Sequence, residues 1–149
     1  MAIGQDKLLV TPLQMATVAA TIANGGVRME PHITQKIVDP DGRTQDEIEP
    51  KRAERVMSVD TARALTGMMK QVVKEGTGTA AALQGIDVAG KTGTAEVDRS
   101  CGPNQLWFIA FAPAQDPRVA IAATVECGTG FGGTVAAPIA KAVMQELLK

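Results

Sequence analysis

A chain of 149 residues with 45% hydrophobic content is long and apolar enough to bury one compact core, which excludes a disordered tail. With 15 basic against 16 acidic residues, a formal net charge of -1 and only 3% aromatics, it offers neither an electrostatic track for nucleic acid or an anionic membrane nor a base-stacking platform. No apolar run reaches the roughly 20 residues of a membrane span, and any export signal is expected outside this chain. Two cysteines and a single histidine provide no metal-ligand cluster, and no cofactor is expected.

Taken in order, Thr11-Pro12 ahead of Leu13, Met15, Ala16, Val18, Ala19, Ile22 and Ala23 predicts a helix over 11–24, stopped by Asn24-Gly25-Gly26. Ile33 and Lys36-Ile37-Val38 predict a strand that turns at Asp39-Pro40-Asp41-Gly42, with Ile48 on the returning partner. The mixed charges from Asp41 to Arg55 read as a solvated surface, and His32, after Pro31 in a connection, as a surface histidine rather than a general base. Ser58 is the expected cap of a second helix, over 58–74, with Ala62, Leu65, Met68, Met69, Val72 and Val73 along its buried side. Gly76-Thr77-Gly78-Thr79 then leads toward the next strand, either lining its cleft or serving as a plain connector.

That strand, over 87–96, contains Val88-Ala89-Gly90-Lys91-Thr92-Gly93-Thr94-Ala95-Glu96, one cation and two hydroxyls set between glycines. Strand interiors avoid glycine, so Gly90 and Gly93 suggest that another molecule approaches the backbone closely. The Lys91 ammonium is suited to holding a carboxylate, Thr92 and Thr94 to adding hydroxyl donors, and an amide after Gly93 to facing a developing oxyanion. An edge strand with a solvated lysine is the plainer alternative. Gly85 to Thr92 also matches G-x-x-x-x-G-K-[ST], the phosphate-cradling loop of nucleotide-binding proteins. Such a loop follows a buried strand and opens a long helix, whereas here Gly93 to Val97 continues as strand, so the nucleotide reading is a remote alternative.

Two apolar runs follow, predicted as strands over 105–113 and 118–126. The short link Pro113-Ala114-Gln115-Asp116-Pro117 requires them to be antiparallel, since a parallel crossover needs a dozen or more residues. Gly128-Thr129-Gly130-Phe131-Gly132-Gly133 is a second glycine-rich loop, and the last helix is expected over 135–148 with Pro138 in its first turn. The predicted fold class is α+β: an antiparallel sheet of about three strands plus a small hairpin, packed with helices.

Lys91-Thr92-Gly93-Thr94-Ala95-Glu96 followed by Trp107-Phe108-Ile109-Ala110-Phe111-Ala112-Pro113 resembles the C-terminal half of a class B penicillin-binding protein transpeptidase domain. Ile3-Gly4-Gln5, Leu8-Leu9-Val10-Thr11-Pro12-Leu13-Gln14-Met15-Ala16 and Glu75-Gly76-Thr77-Gly78-Thr79 are similar to the same family, so the resemblance covers essentially the whole chain. It implies a partial β-lactamase/transpeptidase-like fold and a D,D-transpeptidase that acylates a serine with a peptidoglycan stem peptide ending in D-Ala-D-Ala, and that β-lactams acylate likewise. It also implies that Lys91 joins the polar network beside the nucleophile, that Thr92, Gly93 and Thr94 hold the substrate carboxylate, and that the Thr94 amide supplies half the oxyanion hole. The implied place of work is the extracytoplasmic face of a bacterial membrane.

The departures from the family matter equally. The family nucleophile lies in Ser-x-x-Lys and a second motif is Ser-x-Asn, yet the only serines, Ser58 and Ser100, fit neither. The chain is therefore expected to be the portion that follows those motifs, 1–149, with the nucleophile outside it. The alternative is a non-catalytic binding module of the same fold. The family's Gly-Gln-Gly is Gly4-Gln5-Asp6 here. An unpaired sheet edge, an uncovered face and docking onto the missing half or self-association are expected, and the strand ends of the meander make Cys101 and Cys127 a candidate disulfide.

Overall fold

The computed structural model describes residues 8–97, 100 and 102–149. Helix α1 spans Pro12–Ala23 and begins in a capping box: the Thr11 hydroxyl accepts from the Gln14 amide at 3.2 Å and the Gln14 side chain accepts from the Thr11 amide at 2.8 Å. Helix α2 spans Val59–Lys74, with the Ser58 hydroxyl accepting from the Thr61 amide at 3.1 Å. Between them lie four short strands, β1 (Val27–Met29), β2 (Lys36–Val38), β3 (Thr44–Glu47) and β4 (Arg52–Arg55). The β2–β3 hairpin is the one expected, but β1 pairs antiparallel with β4 in a second ribbon inside a stretch expected to be only solvated surface. The partly buried Val27 and Met29 of β1 lie toward α1, while exposed charge pairs mark the ribbon's outer side: Arg28 meets Glu54 at 3.1 Å, and Lys51 meets Glu30 at 3.0 Å beside it.

After α2, a single turn of 3-10 helix at Thr79–Ala81 leads into the sheet, formed by β5 (Ala89–Glu96), β6 (Asn104–Ala112) and β7 (Val119–Gly128) in the order β5-β6-β7. Both pairings are antiparallel, with Lys91 opposite Ile109, Gly93 opposite Trp107 and Phe108 opposite Ala123, so the expected meander is present. The central strand is buried on both sides, which is why it reads as a continuous apolar run. Leu106, Phe108, Ala110 and Ala112 turn one way, while Ile109 and Phe111 turn the other.

Helix α3 (Gly132–Leu147) covers the first face with Ala136, Ala137, Ala140 and Met144, all fully buried. Ile22 of α1 and Met69 of α2 meet Ala89 and Phe111 on the second. Because α2 also sends Val73 into the first cluster, it straddles the sheet at the start of β5. Neither face is therefore bare, contrary to expectation. Exposed large apolar side chains include Leu8, Leu9, Leu13 and Val18 around α1, Ile33, Phe131, and Ile139, Val143 and Leu147 on the outer side of α3, and Met68, expected on the buried side of α2, is exposed as well. The edge of β5, by contrast, pairs with no other strand among the described residues.

The last helix begins earlier than the sequence suggests, so Pro138 is interior rather than in the first turn. Thr134 makes this start possible, its hydroxyl accepting from the Phe131 amide at 3.3 Å and donating to the Phe131 carbonyl at 3.0 Å. Gly132 and Gly133, poor helix formers by propensity, are recruited because only they fit against the sheet.

Candidate active site

Lys91, Thr92, Gly93 and Thr94 all lie in β5, and its backbone decides where their groups point. Residues of an antiparallel strand alternate between aiming both backbone groups at the partner and aiming both away. The Ile109 carbonyl oxygen lies 3.2 Å from where a Cβ on Gly90 would stand, so it faces β5, and its partner Lys91 belongs to the paired set with Gly93. Thr92 and Thr94 then belong to the outward set, with amides and carbonyls directed off the open edge. Consistent with this, the Thr92 carbonyl accepts the Lys91 ammonium at 2.7 Å.

The side chains of Thr92 and Thr94 lie on the face covered by α3. The Thr92 hydroxyl is 2.7 Å from the Thr77 hydroxyl, and the Thr94 hydroxyl accepts from the Gly132 amide at 3.2 Å. The segment Gly76 to Thr79, left open between cleft lining and connector, thus reaches the strand through Thr77. Sequence reasoning missed the start of α3 as part of this cluster, although its paired glycines signalled a close approach. A Cβ on Gly132 would collide with the Gly93 and Trp107 carbonyl oxygens, and one on Gly133 with the Thr77 carbonyl oxygen.

The reading of the β5 glycines as room for another molecule is incomplete, because the protein's own side chains also crowd them. A Cβ on Gly90 would stand 2.5 Å from Phe108 Cζ, and one on Gly93 would stand 3.2 Å from Trp107 Cβ. The phosphate-loop reading of Gly85 to Thr92 also fails. Gly85 (φ 73) occupies a turn beside the Leu83–Ile86 bridge, and Lys91 sits within a paired strand rather than at a helix N-terminus.

Other candidates lie apart from the cluster or are committed elsewhere. Ser58 caps α2, and its hydroxyl is 2.8 Å from that of Thr61. Ser100 is exposed between β5 and β6, and His32 is exposed near the Glu30 carbonyl. Cys127 is disulfide-bonded, while Cys101 lies outside the described residues, as does Gly4-Gln5-Asp6. Asp87, just before β5, accepts from Lys70 at 2.7 Å and from Gln115 at 2.6 Å, and these donors hold its carboxyl below the usual carboxylate range. A cavity of about 440 Å³ beside it is lined by Lys70, Lys74, Leu83 and Ile86, and another of about 400 Å³ lies between α1 and β1, lined by Leu13, Val18, Arg28 and Met57. Among the described residues no three metal-ligating side chains converge, and no helix is long and apolar enough to cross a membrane.

An edge strand that offers an ammonium, two hydroxyls and outward amides is suited to an anionic, peptide-like ligand laid along it. Comparison with known proteins identifies the family. The family profile described as "Penicillin binding protein transpeptidase domain" matches residues 1–145. The chain belongs to this family. It is 42% identical, over 99% of its own length and 31% of the relative's, to the peptidoglycan D,D-transpeptidase PbpA of Mycolicibacterium smegmatis. It is 40% identical to PbpA of Mycobacterium tuberculosis over the same shares. Among solved structures it is similar to penicillin-binding protein A from M. tuberculosis (TM-score 0.90, 39% identity), covering 99% of this chain and 36% of that one. The penicillin G acyl-enzyme complex of that protein gives a TM-score of 0.87 at 39% identity, covering 99% of this chain and 34% of that one. The α+β architecture is that of penicillin-binding protein transpeptidase domains, and the chain spans about a third of the length of the curated relatives it matches.

Proposed function

We propose that this chain forms the Lys-Thr-Gly-Thr wall of the active site of a peptidoglycan D,D-transpeptidase, and that the nucleophilic serine comes from sequence outside these 149 residues. On this reading 1–149 is the C-terminal portion of the transpeptidase domain. Its substrate is a stem peptide ending in D-Ala-D-Ala, β-lactams compete for the same serine, and the work is done on the extracytoplasmic face of a bacterial membrane. The observation that carries the proposal is the open edge of β5, with Lys91 bonded to the Thr92 carbonyl and the Thr92 and Thr94 hydroxyls gathered beside it.

The chemistry assigned to each residue follows from that edge. The serine oxygen attacks the carbonyl of the penultimate D-Ala, the peptide C–N bond breaks, and the terminal D-Ala leaves with the proton on its amine. An acceptor amine then attacks the resulting ester, and the serine recovers its proton. The outward Thr94 amide is one donor to the oxyanion of each tetrahedral intermediate, where a single such donor is worth about 3 kcal/mol. Lys91 supplies positive charge beside the nucleophile and its proton path. Thr92 and Thr94 donate to the terminal carboxylate, and Gly93 keeps the strand free of bulk between them. No cofactor enters this sequence of steps.

A polypeptide in which this chain continues from an upstream half carrying Ser-x-x-Lys and Ser-x-Asn tests the proposal. Stoichiometric acylation by benzylpenicillin, sharply reduced by Lys91→Ala in a protein of unchanged circular dichroism, is expected. Acylation that is indifferent to Lys91→Ala contradicts the role given to β5.

A further inference from the structure

The shared Thr77–Thr92 hydrogen bond raises the question of which hydroxyl donates. We propose that Thr77 is a positioning residue which, together with the Gly132 amide, orients the hydroxyl protons of Thr92 and Thr94 toward an anion lying along the open edge of β5. The inference rests on the reading of that edge as the carboxylate-binding wall.

A threonine hydroxyl has one proton and two lone pairs. The Gly132 amide can only donate, so the Thr94 oxygen is its acceptor at 3.2 Å and the Thr94 proton is left for another partner. The Thr77–Thr92 contact of 2.7 Å admits either direction. An anion at Thr92 selects one of them: Thr92 gives its only proton to the anion, so Thr77 must be the donor behind it. Both hydroxyls then accept from the scaffold and donate outward, and each accepted bond polarises the one donated. A carboxylate therefore meets two aligned donors rather than two free rotors.

Three elements hold Thr77 in place. The Gly78 amide donates to the Val72 carbonyl at 2.9 Å, which ties the segment to the end of α2. A Cβ on Gly78 would stand 3.1 Å from both Phe108 Cε2 and Val72 Cγ1, so the segment lies directly on the core. On the other side α3 presses in: a Cβ on Gly133 would collide with the Thr77 carbonyl oxygen and stand 3.2 Å from Thr92 Cγ2. Small residues at 76, 78, 132 and 133 thus bring one connector hydroxyl to the back of the strand. That convergence is more than a connector requires.

The test uses the polypeptide with the upstream half restored, and two probes: benzylpenicillin and its methyl ester, in which the carboxylate is masked. Thr77→Val keeps the shape and removes the donor. The second-order acylation rate with benzylpenicillin is expected to fall about tenfold relative to the ester, with the loss in the binding step rather than the limiting rate. Thr77→Ser restores the ratio. An unchanged ratio in Thr77→Val overturns the proposal, and an equal loss on both probes does so as well, since that marks a merely structural role. Gly133→Ala, which displaces Thr77 without removing it, is expected to lower the same ratio.

Failure of the unsubstituted polypeptide to react with penicillin defeats the reading of the edge instead. The positioning role is then decided on the 149-residue chain by three-bond couplings of the Thr92 methyl group. One χ1 rotamer in the unsubstituted chain and averaging in Thr77→Val are expected, and one rotamer in both overturns the proposal.

Discussion

Gly90→Ala separates a glycine kept for packing from one kept for a ligand. The new Cβ would stand 2.5 Å from Phe108 Cζ and 3.2 Å from both Phe108 Cε1 and the Ile109 carbonyl oxygen. Ordinary contact needs about 3.5–4.0 Å, so the ring must retreat by roughly 1 Å. Phe108 is fully buried, and Gly78 lies against the Cε2 edge of its ring. Overpacking of this kind costs about 1–3 kcal/mol, while replacing glycine in a strand recovers about 0.4–1 kcal/mol from the unfolded chain. The expected net loss is about 1–2 kcal/mol. In urea unfolding, with a slope of about 2 kcal/mol per molar, the midpoint falls by roughly 0.5–1 M. Phe108→Leu removes the atoms in collision, so the double variant should be more stable than the sum of the single changes predicts, by about 1 kcal/mol. A midpoint equal to or above that of the unsubstituted chain would refute the packing account and return Gly90 to the role of a gap for a ligand.

Three further outcomes are expected. Phe108→Ala empties the centre of the cluster beneath α3 and should cost about 3–5 kcal/mol by chemical denaturation, against under 0.5 kcal/mol for a change at an exposed site. Thr11→Ala removes the hydroxyl that accepts from the Gln14 amide, leaving only the bond from the Thr11 amide to the Gln14 side chain, and should cost about 1 kcal/mol, with hydrogen exchange accelerating in the first turn of that helix before elsewhere. Asp87 carries a lowered pKa, so its contribution to stability is present above the ordinary carboxylate value and is lost as pH falls through the lower folded value. Asp87→Asn should therefore lower Tm slightly at pH 7, with the gap to the unsubstituted chain closing below about pH 4 and shrinking in high salt.

Much of the molecule was legible in the sequence where local and tertiary signals agree. The Pro113 to Pro117 link is too short for a crossover, so the β6–β7 pairing could be read directly, and Thr11 and Ser58 announced the helices they cap. The ribbon of β1 with β4 was not legible, because Arg52-Ala53-Glu54-Arg55 has no apolar face and its register is set by backbone bonds and ion pairs. The start of α3 was missed for a related reason: Gly132-Gly133 reads as loop by propensity, and only the approach to Gly93, Trp107 and Thr77 explains the glycines. The residue types at the candidate site were evident in Lys91, Thr92 and Thr94. Which way each one points depends on the pairing of β5 with β6, and the meaning of Gly90 depends on a phenylalanine from the neighbouring strand. Neither is a local property of the motif.

Intact-mass spectrometry after incubation with benzylpenicillin tests the central claim most directly. Acyl transfer needs a nucleophile, a group to activate it and donors for the oxyanion, and such groups act as a unit rather than additively. The 149-residue chain, carrying the lysine and donor side alone, is expected to remain at its unmodified mass, whereas a polypeptide that joins it to an upstream half carrying Ser-x-x-Lys and Ser-x-Asn is expected to gain one penicilloyl group. A stoichiometric adduct on the chain by itself, mapped to Ser58 or Ser100, would contradict the account.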